Sequence, residues 1–227
     1  VPIVNTHDSL PPVLEERLRP QAIQKRFLSS PKWQPEIRVE PLISDRSAQQ
    51  AAVLIGIVDR PQPTVLLTQR TATLSTHAGQ IAFPGGKVDP TDADCVSAAL
   101  RETFEEVGLA SSWITVLGQL PVYTTGTNFL VTPIVALIRQ GFTASPNRAE
   151  VQEVFEVPLA YLMNPQAHRL HQWVWNGHQR HWYSMPYYER GQNGLQERYI
   201  WGATAGMLRN LYHFLSASDA ISRSGEP

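Results

Sequence analysis

The stretch FPGGKVDPTDADCVSAALRETFEEVGL, residues 83–109, decides the fold of this chain. Pro90 and the polar residues after it supply turn and N-cap chemistry, so we predict a helix over residues 93–107, ended by Gly108. One face of that helix is mostly apolar and suits a core, with the residues Val96, Leu100, Thr103 and Val107. We expect the acidic residues of the helix to lie on much of the other side.

These acidic residues are three glutamates, Glu102, Glu105 and Glu106, and Arg101 is their one local counter-charge. At these spacings carboxylates repel each other by roughly 0.2–0.5 kcal/mol per pair. A solvated helix face is the alternative interpretation, but such a face intersperses lysines and residues 89–113 contain none. Oxygen ligands without His or Cys suit a hard cation, so the cluster predicts a Mg²⁺ or Mn²⁺ site.

A glycine pair, Gly85 and Gly86, precedes the helix. Because glycine has no Cβ, a backbone turn at this pair can approach a substrate phosphate closely. An ordinary turn is the alternative interpretation.

Together these residues resemble the Nudix box, the signature of enzymes that use divalent metal ions to hydrolyse nucleoside diphosphates linked to another group. The matching residues are Gly86, Arg101, Glu102, Glu105, Glu106, Gly108 and Leu109. The resemblance implies that the three glutamates bind the metal and that Arg101 and Glu105 take part in catalysis on a small-molecule substrate. It also implies the Nudix fold, an α/β fold in which a mixed β-sheet is sandwiched between helices, with a loop-helix-loop catalytic motif.

The box departs from its usual form at three points. Thr103 stands at an aliphatic position, and the interval from Gly86 to Arg101 is one residue longer than usual. Ala93 stands where the box has its first glutamate, and Asp92 and Asp94 are the two residues that could replace it.

The segment LLTQRTATLSTHAGQIAFPGG, residues 66–86, resembles the additional motif of coenzyme A pyrophosphatases, which share the longer interval. Thr71 replaces a small residue of that motif, and Ser75 replaces an arginine. The resemblance implies cleavage of coenzyme A or its thioesters to 3′,5′-ADP and 4′-phosphopantetheine or its acyl form. The residues expected to bind this substrate are Arg70, His77, Gly79, Gly85 and Gly86.

Two other functions stay open at this point. The first is hydrolysis of another nucleoside diphosphate derivative, such as NADH, ADP-ribose or an oxidised nucleotide. The second is a non-catalytic Nudix module that binds a ligand or a protein, against which the intact residues of the acidic helix argue.

The segment EVQEVFEVPL, residues 150–159, resembles the part of many Nudix enzymes that places a further glutamate near the metals. We predict that Glu150 is the general base, with Glu153 and Glu156 as alternatives. An exposed loop carboxylate is the other interpretation of Glu150.

The composition, 42% hydrophobic and 17% charged with a net charge of −1, is that of a globular protein without general attraction to nucleic acid or membrane. The longest apolar run, residues 51–58, is far below the roughly 18 residues of a membrane span. The single cysteine, Cys95, excludes an internal disulfide. We expect no nucleic-acid or membrane partner, and, with no signal-peptide pattern at the N-terminus, a cytoplasmic protein.

We expect one domain over residues 49–216, with residues 1–48 packed on it as an extension and residues 217–227 as a tail. Strands are predicted at residues 50–58, 64–69, 80–83, 114–120 and 129–138 and in part of residues 150–159, and a last helix at residues 204–215. Pro133 predicts that its strand lies at an edge or has a bulge. Asn176-Gly177 predicts a hairpin whose many aromatic residues suit sheet packing or a homodimer contact better than nucleic-acid stacking.

Overall fold

The computed structural model describes residues 3–5, 9–29, 31–44, 47–72, 79–175, 178–191 and 194–218. Ser75, His77 and the Asn176-Gly177 pair lie outside these ranges, as does most of the proposed C-terminal tail. In chain order the strands are β1 Ile3–Asn5, β2 Gln49–Asp59, β3 Thr64–Arg70, β4 Ile81–Ala82, β5 Gly85–Lys87, β6 Ile114–Gln119, β7 Tyr123–Thr124, β8 Phe129–Arg139, β9 Val151–Pro158, β10 Arg169–Trp175, β11 His178–Gly191 and β12 Gly194–Trp201. The α-helices are α1 Pro20–Ser29, α2 Cys95–Val107, α3 Leu159–Leu162 and α4 Gly202–Ser216.

The main sheet is mixed and is built around a parallel pair, β2 and β8, aligned from Gln49 opposite Phe129 to Asp59 opposite Arg139. The described strands run in the order β4-β3-β2-β8-β6. In addition, β5 pairs with β2, β7 with β8, and β9 with β3. Both faces of β2 are covered, which explains its nearly continuous apolar sequence. On one side Leu54 packs near α2, and on the other Ile55 joins the core that contains α4. The predicted mixed sheet between helices is confirmed.

The predicted edge position of Pro133 is wrong, because β8 lies between β2 and β6. Opposite β8, the pairing with β6 ends at Ile134 and the pairing with β7 begins at Val131. Pro133 therefore lies in a gap between two partner strands, where a missing N–H costs little. The other predicted possibility is a bulge. The pairing of β6 with β8 does contain an irregularity, but it lies in β6, where the register shifts between Val116 and Gly118.

A second, antiparallel sheet has the strand order β1-β10-β11-β12. Strands β10 and β11 pair from Arg169 opposite Ser184 to Trp175 opposite His178, the register that a two-residue hairpin connection requires. Helix α4 is buried almost along its whole length, in a core that also holds Met185 of β11. The second sheet and the main sheet therefore share one hydrophobic core.

Helix α2 has the termini that its sequence suggests. The side chain of Asp94 accepts a hydrogen bond from the Ser97 N–H at 2.7 Å, so the helix begins at Cys95, two residues later than predicted. Gly108 takes a left-handed conformation with φ 71° and donates its N–H to Phe104 O at 2.8 Å.

The chain before β2 is held on α4 and on the loop after β7. The Arg26 Nε atom donates to Phe214 O at 3.2 Å, and the Arg209 Nε atom lies 2.7 Å from Glu36 Oε2. Further along, the Glu40 N–H donates to Thr124 O at 2.8 Å. These contacts bring Glu40 to the edge of the main sheet.

None of the helices in the described ranges combines the length and the apolar character that crossing a membrane requires.

Candidate active site

Glu106 is buried, with only 4% of its surface exposed. Its Oε2 accepts a hydrogen bond from the Gly85 N–H at 3.2 Å, and its Oε1 lies 3.4 Å from an Arg70 nitrogen. The expectation that all three glutamates lie opposite the core is therefore wrong for Glu106. The buried arc of α2 includes Thr103 and, one turn later, Glu106, because β5 and the end of β3 cover this side of the helix.

Thr103 explains one departure from the usual box. Its side chain is fully buried, and its hydroxyl donates to Ala99 O at 2.6 Å. Because this hydroxyl is hydrogen-bonded to the backbone one turn earlier, threonine can take the place of a buried aliphatic residue and leave no polar group without a partner.

Burial raises the pKa of Glu106 to about 7, and repulsion by Glu102 and Glu150 adds to this effect. The Gly85 N–H and the charge of Arg70 act in the opposite direction but do not compensate. Burial also raises the pKa of Glu102. In both cases the first cause is burial, which disfavours the charged form of a carboxyl group.

This raised pKa predicts how the metal-free protein responds to pH. A carboxylate with a pKa near 7 in the folded state and near 4.5 when unfolded opposes folding once it ionises. Stability should thus be lost as the pH rises from 4.5 through 7, by up to about 3 kcal/mol. Glu106→Gln should remove this loss, so in EDTA its melting temperature should exceed that of the wild type at pH 8 and approach it near pH 4. A difference in melting temperature between the two proteins that stays the same at every pH would contradict the assigned pKa of Glu106.

The glycine pair lies in strand β5 and not in a turn, which corrects the sequence-based expectation. Gly86 pairs with Ala52 of β2, and a Cβ at Gly86 would lie 2.4 Å from the Glu102 carboxylate carbon. Gly85 has φ +153°, and a Cβ there would lie 2.4 Å from the carbonyl oxygen of Ala52. The missing side chains thus let the sheet and a carboxylate of α2 approach each other. Phosphate contact by these glycines stays a prediction.

Arg101 is fixed between carboxylates on two elements. Its Nε and one terminal nitrogen contact the two oxygens of Asp92 at 3.0 and 2.9 Å, and the same terminal nitrogen donates to Lys87 O at 3.1 Å. The other terminal nitrogen lies 2.9 Å from Glu102 Oε1 and 3.2 Å from Glu105 Oε2. Arg101 can therefore orient two of the predicted metal ligands at once.

The two candidates for the first glutamate of the box, Asp92 and Asp94, each have another partner in the structure. Asp92 holds Arg101, which keeps the pKa of Asp92 below its usual value, and Asp94 caps α2. The role of Asp92 as an anchor for Arg101 is not visible in the sequence, since the two residues are nine positions apart and the N-terminus of a helix lies between them.

In the ranges that the structure describes, no three His, Cys, Asp or Glu side chains are arranged to hold a metal ion. Arg101 bridges Glu102 and Glu105, while Glu106 turns to Gly85 and Arg70. The chemistry of the cluster nevertheless fits a hard divalent cation, because the donors that Glu102, Glu105 and Glu106 offer are carboxylate oxygens. The metal-binding role of the three glutamates stays a prediction.

Of the three candidates for the general base, only Glu150 acts on the cluster, through its repulsion of Glu102 and Glu106. Glu153 is paired with Arg198 at 2.6 Å, and Glu156 with Arg60 at 2.6 Å.

The Glu150 loop is tied to α2 by Asn147, which the sequence does not single out. The Asn147 N–H donates to Glu106 O at 3.0 Å, and its side-chain Nδ2 donates to Glu150 Oε1 at 3.2 Å. Asn147 thus fixes Glu150 relative to the end of the acidic helix.

The predicted substrate-binding residues are partly brought together. Arg70, at the end of β3, contacts Glu106, and Gly85 and Gly86 lie beside the carboxylates of α2. Gly79 has φ +69° and lies in the turn before β4. His77 lies outside the described residues, so its prediction stays without a structural counterpart.

A cavity of about 420 Å³ is lined by Arg70, Gly85 and Gly86, and it is here called the catalytic cavity because these three are predicted substrate-binding residues. Its lining also includes Glu40 and the residues Thr125, Gly126 and Thr127 of the loop after β7. Glu40 is a residue that the sequence does not indicate, because its place depends on contacts with residues more than eighty positions away.

The NUDIX domain family matches residues 48–182, and the chain belongs to this family. It is a hydrolase that acts on nucleoside diphosphate derivatives, and members of the family generally use divalent metal ions. Among its relatives is the "Uncharacterized Nudix hydrolase NudL" of Shigella flexneri serotype 5b, 44% identical over 78% of this chain and 86% of that protein. NudL of Escherichia coli K12 is 43% identical over the same shares of the two chains.

A structural comparison finds the crystal structure of RenU, a Nudix hydrolase from M. smegmatis. It is 26% identical and matches with a TM-score of 0.44, over 52% of this chain and 78% of that one.

Proposed function

We propose that this enzyme hydrolyses the diphosphate bond of coenzyme A, or of acyl-coenzyme A, to 3′,5′-ADP and 4′-phosphopantetheine or its acyl form. The observation that carries the proposal is the contact between the two motifs. Arg70, from the segment that resembles coenzyme A pyrophosphatases, lies 3.4 Å from Glu106 of the Nudix box. Gly85, from the same segment, donates its N–H to Glu106.

Glu102, Glu105 and Glu106 would hold Mg²⁺ or Mn²⁺. When bound, such an ion polarises the diphosphate and lowers the pKa of a water molecule. Arg101 keeps Glu102 and Glu105 in place from the side of Asp92. Glu150 accepts the proton of the attacking water, whose oxygen forms a bond to phosphorus as the bond from phosphorus to the bridging oxygen breaks.

Arg70 has a second role in this proposal. In the structure its guanidinium partly neutralises Glu106. Once a cation neutralises Glu106, the guanidinium is available to a substrate phosphate, for which its planar set of donors is suited. The side chain lines the catalytic cavity, where such a phosphate would lie.

A product assay on a panel of substrates tests the proposal. We expect kcat/KM for coenzyme A to exceed that for NADH, ADP-ribose and an oxidised nucleoside triphosphate, with Mg²⁺ or Mn²⁺, and the products to be 3′,5′-ADP and 4′-phosphopantetheine. A higher kcat/KM for NADH or ADP-ribose would make the enzyme a different Nudix pyrophosphatase. Turnover of none of these substrates would contradict the proposed reaction.

A further inference from the structure

A second cavity, of about 370 Å³, adjoins the catalytic cavity and is here called the tryptophan cavity. It is lined by Trp173, Trp182 and Trp201, with Arg180 and His181 nearby. The two cavities share a boundary formed by Glu40, Ile43, Gly126, Trp201 and Gly202. The two cavities therefore lie side by side, and Glu40 lines both.

The register of the second sheet puts the three tryptophans on one face. Trp182 is opposite His171, which lies two residues before Trp173, and Trp201 is opposite Ser184, two residues after Trp182. Residues directly opposite each other, or two apart along a strand, point to the same face of a sheet. The three indole rings thus belong to one surface.

These rings are available for contact with a ligand. Trp173 is 48% exposed and Trp201 is 40% exposed, so a large part of each indole lies outside the hydrophobic core. Trp182 is held in orientation by stacking on His171, with ring centres 5.5 Å apart and planes 15° apart. Flat, partly exposed aromatic rings are the surfaces on which nucleic-acid bases stack.

The boundary between the cavities has the polarity of a site for a nucleoside. Glu40 Oε1 accepts a hydrogen bond from the Tyr123 hydroxyl at 2.6 Å, and Oε2 accepts one from the Gly126 N–H at 2.8 Å. A carboxylate oxygen can accept two hydrogen bonds, so each can take a further donor, such as a ribose hydroxyl or an amino group. The 2′-hydroxyl of the ribose is such a donor, and a 3′-phosphate on the same ribose would have to point away from Glu40, because the carboxylate repels it.

From this arrangement we propose that the tryptophan cavity binds the adenine ring of the substrate. From the first cavity to the second, the order is strand β5 with its glycine pair, then a carboxylate that suits ribose, then aromatic rings that suit a base. An acyl chain would be better matched by buried aliphatic side chains than by exposed indoles beside Arg180 and His181. The inference rests on the proposed function only in requiring an adenine nucleotide as one part of the substrate.

The test measures equilibrium binding of reaction products and needs no turnover. In calorimetry without metal ions, Trp173→Leu and Trp201→Leu should each raise the Kd for 5′-AMP and for 3′,5′-ADP by about tenfold or more. The Kd for 4′-phosphopantetheine should not change. The matched control is Trp113→Leu, because Trp113 lies beside Arg139 and away from both cavities, and its Kd values should equal those of the wild type.

Three results would overturn the inference. These are the absence of nucleotide binding to the wild type at millimolar concentration, unchanged nucleotide Kd values in both variants, and weaker binding of 4′-phosphopantetheine in place of the nucleotides. The last result would assign the cavity to the other arm of the substrate. If Trp201→Leu fails to fold, Trp201→Phe and the more exposed Trp173→Leu carry the test. Nucleotide binding that depends on these tryptophans, together with no hydrolysis of coenzyme A, would support the inference and reject the proposed substrate.

Discussion

Replacing Glu106 by glutamine is expected to lower kcat by at least about 100-fold, equivalent to roughly 2.7 kcal/mol of activation free energy. Glutamine has nearly the same shape and can still accept the Gly85 N–H that Glu106 accepts at 3.2 Å. What it loses is the negative charge that would bind the cation. The loss should therefore appear in activity and not in folding, since the uncharged side chain relieves the repulsion from Glu102 and Glu150.

The measurement is steady-state hydrolysis of coenzyme A over a range of Mg²⁺ concentrations, with the melting temperature as the check on folding. Glu16→Gln is a suitable control, because Glu16 is an exposed carboxylate in the N-terminal segment, far along the chain from the site. It should keep wild-type kcat. Near-wild-type turnover of Glu106→Gln at saturating Mg²⁺ would remove Glu106 from the set of metal ligands.

Gly86→Ala is the second change with a large expected effect, a fall in kcat/KM of about 100-fold or more. The added Cβ would lie 2.4–2.6 Å from the carboxylate atoms of Glu102, so this side chain must move away from its place beside Arg101. A displacement of about 1 Å at a catalytic group can cost about that factor. Because the atoms that must move are the end of a flexible side chain, the melting temperature should change little.

Gly85→Ala gives the matching contrast. Its Cβ would meet the Ala52 carbonyl oxygen and the Val53 Cα atom at 2.4 and 2.6 Å, and φ at this position is +153°. Backbone atoms cannot rotate away, so we expect this variant to lose about 1–3 kcal/mol of stability, measured by denaturant unfolding. Equal melting temperatures for the two variants, or full activity of Gly86→Ala, would contradict the packing of β5 against α2.

The parts of the fold that depend on local chemistry could be predicted from the sequence. Asp94 and Gly108 bound helix α2 through capping contacts within a few residues, and the long strands follow from apolar runs. The burial of Glu106 could not be predicted, because it depends on where β5 and the end of β3 lie. The interior position of Pro133 likewise depends on two partner strands that come from distant parts of the chain.

The candidate site likewise contains residues that the sequence reveals and residues that it does not. The acidic cluster is contiguous in sequence, so it can be recognised there, whereas the groups that position it are not. Asp92 reaches Arg101 across the start of a helix, and Asn147 joins the end of α2 to Glu150. Glu40 and Trp201 meet at the cavity boundary from opposite ends of the chain, and no sequence pattern links them.

The residues that line the catalytic cavity come from both inside and outside the part of the chain that matches the family. The family match spans residues 48–182 and contains the acidic helix, but Glu40 precedes it and Trp201 follows it. The shared part of the chain thus carries the predicted metal ligands, while the flanking segments line the cavity beside them. On the proposed function, we expect an exchange of those flanks between relatives to change which substrate is preferred while every carboxylate of α2 stays in place.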